Sequence, residues 1–75
     1  MFTLPTIDMA ATGKNIARLR VNAGITARQL QTFLGFTTPQ AIYKWQRGES
    51  MPSIDNMAAL AALFGVGLDD IIIYK

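Results

Sequence analysis

The chain has 75 residues, 51% of them hydrophobic, and a net charge of +2; such a length makes one domain, near the lower size at which a chain folds without staples. It contains no cysteine and no histidine, which excludes a disulfide scaffold, thiolate or imidazole metal sites and histidine acid–base chemistry. The five carboxylates are scattered except for Asp69–Asp70, and adjacent residues on a helix do not converge on a metal, so neither an enzyme nor a cofactor is expected.

No stretch approaches the roughly 18 apolar residues of a membrane span. The opening "MFTLPTIDMAATGK" lacks the basic run and uninterrupted apolar core of a secretion signal, so a cytoplasmic protein without a membrane partner is expected. Charge is divided along the chain. Between Met9 and Gly48 stand Lys14, Arg18, Arg20, Arg28, Lys44 and Arg47 with no acid; from Glu49 onward come Glu49, Asp55, Asp69 and Asp70 against Lys75. The cationic half is a candidate polyanion-binding surface.

Residues 1–11 read as an N-terminal arm, followed by one domain over 12–75. Because the arm carries no Arg or Lys, it does not suit a DNA minor groove. A first helix is expected from Thr12 as N-cap, with Ile16, Leu19 and Ala23 on one face, ending at Gly24. A second opens on "TARQ", a capping box of Thr26 and Gln29, and carries the stripe Leu30, Phe33, Leu34 before Gly35. The third takes Thr38 as N-cap and Pro39 as first helical residue. In "PQAIYKWQR" the spacing buries Ile42 and Trp45 together and leaves Gln40, Lys44 and Arg47 on the opposite face, with Tyr43 on its border. Gly48 closes this helix, and Glu49 reads as loop surface. A fourth helix follows Ser53 in "IDNMAALAALFG". A fifth, "LDDIIIY", follows Gly67 with both aspartates in the first turn; "III" alone would equally suit a strand, and context favours helix.

The expected fold is all-α, a compact bundle of five short helices. Its middle pair has the outline of a helix-turn-helix, whose second helix enters the DNA major groove.

Taken in order, "IARLR", "GIT", "LG", "IYKWQRG", "MPS" and "LAALFGVGLDDI" resemble the phage-repressor (XRE) type of helix-turn-helix across residues 13–72. The resemblance implies a lambda-repressor-like DNA-binding domain that binds operator DNA as a dimer. Its base-reading positions fall on Pro39, Gln40, Tyr43 and Lys44. Pro39 offers only apolar contact, Gln40 suits adenine and Lys44 suits guanine. The DNA backbone positions fall on Arg28, Thr37, Thr38, Arg47 and Ser50, which fix register without reading sequence. Leu30, Ile42 and Trp45 fall on the buried anchors. Three departures stand out. Ala27 replaces the family's frequent Gln at the start of the second helix. Gln31 occupies a position where a small residue is usual, beside a turn that reads one residue longer. Arg20 faces Gln46 where relatives pair Arg with Glu.

The function expected from these features is sequence-specific transcriptional regulation on double-stranded DNA, as a repressor and homodimer. The alternative is an antitoxin or other protein-interaction module on the same fold. Its partner would sit on the apolar C-terminal third, where Leu60, Leu63, Phe64, Val66, Leu68, Ile71, Ile72, Ile73 and Tyr74 exceed the needs of a small core.

Overall fold

Asp8, rather than Thr12, opens the first helix. In the computed structural model, which describes residues 4–75, α1 spans Met9–Asn22, and the Asp8 carboxylate accepts the Ala11 amide at 3.0 Å. Residues 9–11 therefore belong to a helix and not to the expected arm. The short polar side chain of Asp8 can reach back to an orphan amide, whereas Thr12 is fully buried one turn later. Residues 1–3 of that expected arm lie outside the described residues.

The remaining helices are α2 (Ala27–Leu34), α3 (Gln40–Arg47), α4 (Ile54–Phe64) and α5 (Leu68–Ile71). Thr26 and Gln29 form the expected capping box, the Thr26 hydroxyl accepting the Gln29 amide at 3.0 Å and the Gln29 side chain accepting the Thr26 amide at 2.9 Å. Ser53 caps α4 by accepting the Asn56 amide. α1 to α4 all close with paired amide-to-carbonyl bonds around a glycine, which satisfies carbonyls that a helix end leaves free.

Two further expectations fail. Phe33 is 58% exposed: at about 100° per residue the buried arc of α2 centres between Leu30, Ala27 and Leu34, and Phe33 falls roughly 100° from that centre. The last helix is a single turn. The Ile73 amide, which would continue the helix by donating to Asp69, donates instead to the Thr12 hydroxyl at 2.9 Å, and Asn15 donates to the Asp70 and Ile71 carbonyls at 2.7 and 3.0 Å. The chain after Ile71 is extended instead. Ile7 bridges Tyr74 in antiparallel fashion, Asp8 donates to the Ile73 carbonyl and Lys75 to the Thr6 carbonyl, both at 2.8 Å.

The core gathers Ile16, Leu19, Leu30, Ile42, Trp45, Met57, Leu60, Ala61 and Ile71. Much of the C-terminal apolar excess is absorbed here: Leu63, Phe64, Val66 and Ile72 pack partly buried against this cluster. α1 packs most extensively on α3, and the contact is close. A Cβ at Gly13 would stand inside the envelope of the Trp45 carbonyl oxygen and 2.8 Å from that of Gln46. One at Gly48 would stand 2.8 Å from the Ala10 Cα.

Candidate nucleic-acid interface

The turn between α2 and α3 begins at Gly35, whose φ of 74° lies in the left-handed region that glycine enters without a Cβ penalty. Phe36 then tucks edge-on against Trp45, ring centres 5.7 Å apart. Its carbonyl accepts the Gln31 side-chain amide at 3.3 Å, so Gln31 serves as a brace across the turn. Thr37 and Thr38 follow, both exposed. α3 starts one residue later than the sequence suggested, at Gln40. Pro39 takes the N-cap position without a side-chain bond, while the Thr38 hydroxyl accepts the Gln40 amide at 3.4 Å.

α3 has two unlike faces. Ile42 is 0% and Trp45 4% exposed, and together with Leu30, also 0% exposed, they fix the helix to the core. Gln40, Tyr43, Lys44 and Arg47 are all exposed and share an arc of about 100° on the outer side. Pro39 and Ser50 are half-buried at either end, and Arg28 is exposed in the first turn of α2. On the inner side, Arg20 donates to the Gln46 side chain at 3.0 Å and to the Ile25 carbonyl at 2.9 Å, the pairing that the departure at Gln46 implied. Arg20 thus ties α1, the following loop and α3 together.

The cationic half of the sequence is not one surface. Lys14 and Arg18 line a shallow groove with Ala11, Asn15 and Ile73, and Arg18 donates to the Asn15 side-chain oxygen at 3.1 Å. Gly13, which meets α3, lies on another side of the same helix. The outer face of α3 takes its positive charge from Lys44 and Arg47. Glu49 reads from sequence only as loop surface, yet its carboxylate is paired with the Arg47 guanidinium. The signal was the helix-ending Gly48: a glycine-closed turn brings the residues before and after it side by side.

Among the described residues no helix is long and apolar enough to cross a membrane, and no group of three or more acidic residues could hold a metal ion.

The exposed outer face of a helix fixed behind a short turn prompts comparison with known folds. C.AhdI, a restriction-modification controller protein from Aeromonas hydrophila, superposes with a TM-score of 0.74 at 20% identity, over 85% of this chain and 96% of that one. NHTF, a hypothetical transcription factor from Neisseria, gives 0.73 at 22% identity over 100% and 92%. The clp gene regulator ClgR from C. glutamicum gives 0.71 at 22% identity over 84% and 80%. No curated protein matches in sequence. The helix-turn-helix family model matches residues 16–71, which takes in every helix from the middle of α1 to the end of α5. The chain belongs to the helix-turn-helix family, in its phage-repressor (XRE) type.

Proposed function

We propose that the protein is a sequence-specific double-stranded DNA-binding transcriptional regulator, acting as a repressor and as a dimer on a two-fold operator. The observation that carries this reading is the division of α3: Ile42 and Trp45 hold it, while Gln40, Tyr43, Lys44 and Arg47 face outward with no core task. Gln40 addresses an adenine edge and Lys44 a guanine edge, Tyr43 borders them, and Pro39 supplies apolar contact to a thymine methyl. Arg28, Thr37, Thr38, Arg47 and Ser50 set the register on phosphates. Two copies would place their recognition helices in successive major grooves about 34 Å apart and exclude other proteins from that stretch of duplex. That C.AhdI and ClgR are named as a controller protein and a gene regulator agrees with this reading.

The test is selection from a random duplex library by the purified protein, at low and at physiological salt. An enriched inverted repeat with half-sites about one helical turn apart is the expected result. Retention at low salt alone, with no enriched sequence, would leave only a generic polyanion surface and sink the proposal.

A second reading, a protein-interaction module such as an antitoxin, is favoured by one observation. Leu4, Ile7, Met9, Leu68, Ile73 and Tyr74 are exposed along the paired terminal segments and the helix ends beside them. A stable complex with a neighbouring-gene product, formed by a chain that selects no DNA, would favour it.

A further inference from the structure

We propose that a second copy of this chain docks on the outer face shared by α1 and α5. Asp69 of each copy then lies against Lys14 and Arg18 of the other. This names the surface of the dimer proposed above and rests on that reading.

α1 carries Lys14 and Arg18 four residues apart on its exposed side. Like charges at that spacing repel one another, and neither is paired: the one salt bridge among the described residues is Arg47–Glu49. The stability of α1 does not call for such a pair of cations. They flank a shallow groove whose apolar lining is Ala11 and Ile73. Arg18 is held in place there. Its Nε and Nη2 donate to the Asn15 side-chain oxygen at 3.1 and 2.5 Å, and Asn15 is itself anchored on the Asp70 and Ile71 carbonyls. A guanidinium positioned from the main chain of α5 has less freedom to lose when it pairs.

The matching anion stands on α5. Ile71 is fully buried, and Asp69 lies two residues before it, about 200° around the helix and so away from the core. Asp70 is occupied, accepting the Gly67 amide at 2.9 Å; Asp69 is exposed and has no such task. Leu68, Ile73 and Tyr74 are exposed on the same part of the molecule. One face thus offers two cations, an apolar middle and an anion.

A two-fold contact sets one patch against itself, so the patch must contain its own complement. This one does in both charge and apolar surface, whereas an unlike partner asks for no such self-match. The contact also spares the proposed DNA-reading face. Gly13, which meets α3, lies about 100° from Lys14 and about 140° from Arg18 around α1, so a copy seated on those cations leaves the outer side of α3 open.

Charge reversal tests this by sedimentation equilibrium, on the free protein and on the selected duplex. One variant carries Lys14→Glu with Arg18→Glu, the other Asp69→Lys. Alone, each sets like charges together in both symmetric contacts, and its dimer dissociation constant should rise at least about tenfold. Mixed, the two variants pair opposite charges in both contacts, and a heterodimer should form with near-native affinity. Asp55→Lys, an equal reversal on exposed α4 surface, should neither weaken the dimer nor pair with the first variant. All the altered side chains are exposed, and circular dichroism will confirm each fold. Variants that dimerise as the unaltered chain does would move the dimer to another face and overturn this inference alone. Variants that stay apart when mixed, or a first variant that pairs equally with Asp55→Lys, would also overturn it. An unaltered chain that is monomeric both free and on duplex would sink the dimer reading together with this inference.

Discussion

At the scale of single residues, α3 separates the side chains that hold it from those proposed to read DNA. Trp45 is nearly buried and touches Phe36 edge-on, so its loss opens a large cavity under both helices of the motif. Trp45→Ala should cost about 3–5 kcal/mol. The core of a chain this small rarely supplies more than about 3–5 kcal/mol, so the variant should be left largely unfolded. Urea denaturation followed by far-UV circular dichroism would show it, and a midpoint close to that of the unaltered protein would contradict the anchoring role. Gln40→Ala and Lys44→Ala should leave the fold intact, since both side chains are exposed. Each should relax preference at one base position, by about 1–3 kcal/mol. Repeating the library selection with each variant measures this, and unchanged selection by both would refute the readout. The buried pair Ile42 and Trp45 was legible from helical spacing, because burial follows a 3.6-residue period. The pairing of Glu49 escaped that reading, because its signal was the helix-ending Gly48 and not a hydrophobic period.

At the scale of elements, the start of α2 and the crossing of α1 over α3 set the geometry of the motif. Thr26→Ala removes one half of a reciprocal cap and should destabilise by about 0.5–2 kcal/mol, read as a lowered thermal midpoint. Gly13→Ala is the sharper test. Replacing glycine within a helix by alanine ordinarily stabilises by about 0.5–1 kcal/mol. Here the new methyl would strike the Trp45 and Gln46 carbonyls, and backbone cannot step aside as a side chain does. A loss of about 1–3 kcal/mol is expected, and a raised melting temperature would show the crossing to be looser than described. The helices themselves were readable because glycine stops and Ser or Thr caps punctuate the sequence. Their errors are local and share a cause. Asp8 took the cap that Thr12 was expected to form, and Thr12 ended α5 by accepting the Ile73 amide. Both are polar side chains acting across the fold or just outside a periodic segment, where hydrophobic spacing carries no signal.

At the scale of the whole molecule, the two ends of the described chain are tied together. The Thr12 hydroxyl accepts the Ile73 amide at 2.9 Å and meets the Ile73 carbonyl at 3.3 Å, so one buried side chain satisfies both backbone groups of a residue far away in sequence. Thr12→Val keeps the shape and removes the bonds. It should cost about 1–3 kcal/mol, and hydrogen exchange at the Ile73 amide should speed up well beyond the global change. Retained protection at that amide would mean that the terminal pairing does not depend on Thr12. The backbone-to-backbone joint between α1 and α3, at Gly13 and Gly48, has a wider consequence. α3, the helix proposed to read DNA, is set at its angle by main chain and by Ile42 and Trp45, none of which face outward. Its outward residues are therefore free to mutate without disturbing the frame, and under the proposed readout a lineage of such chains could exchange one operator for another by drift at Gln40, Tyr43 and Lys44 alone.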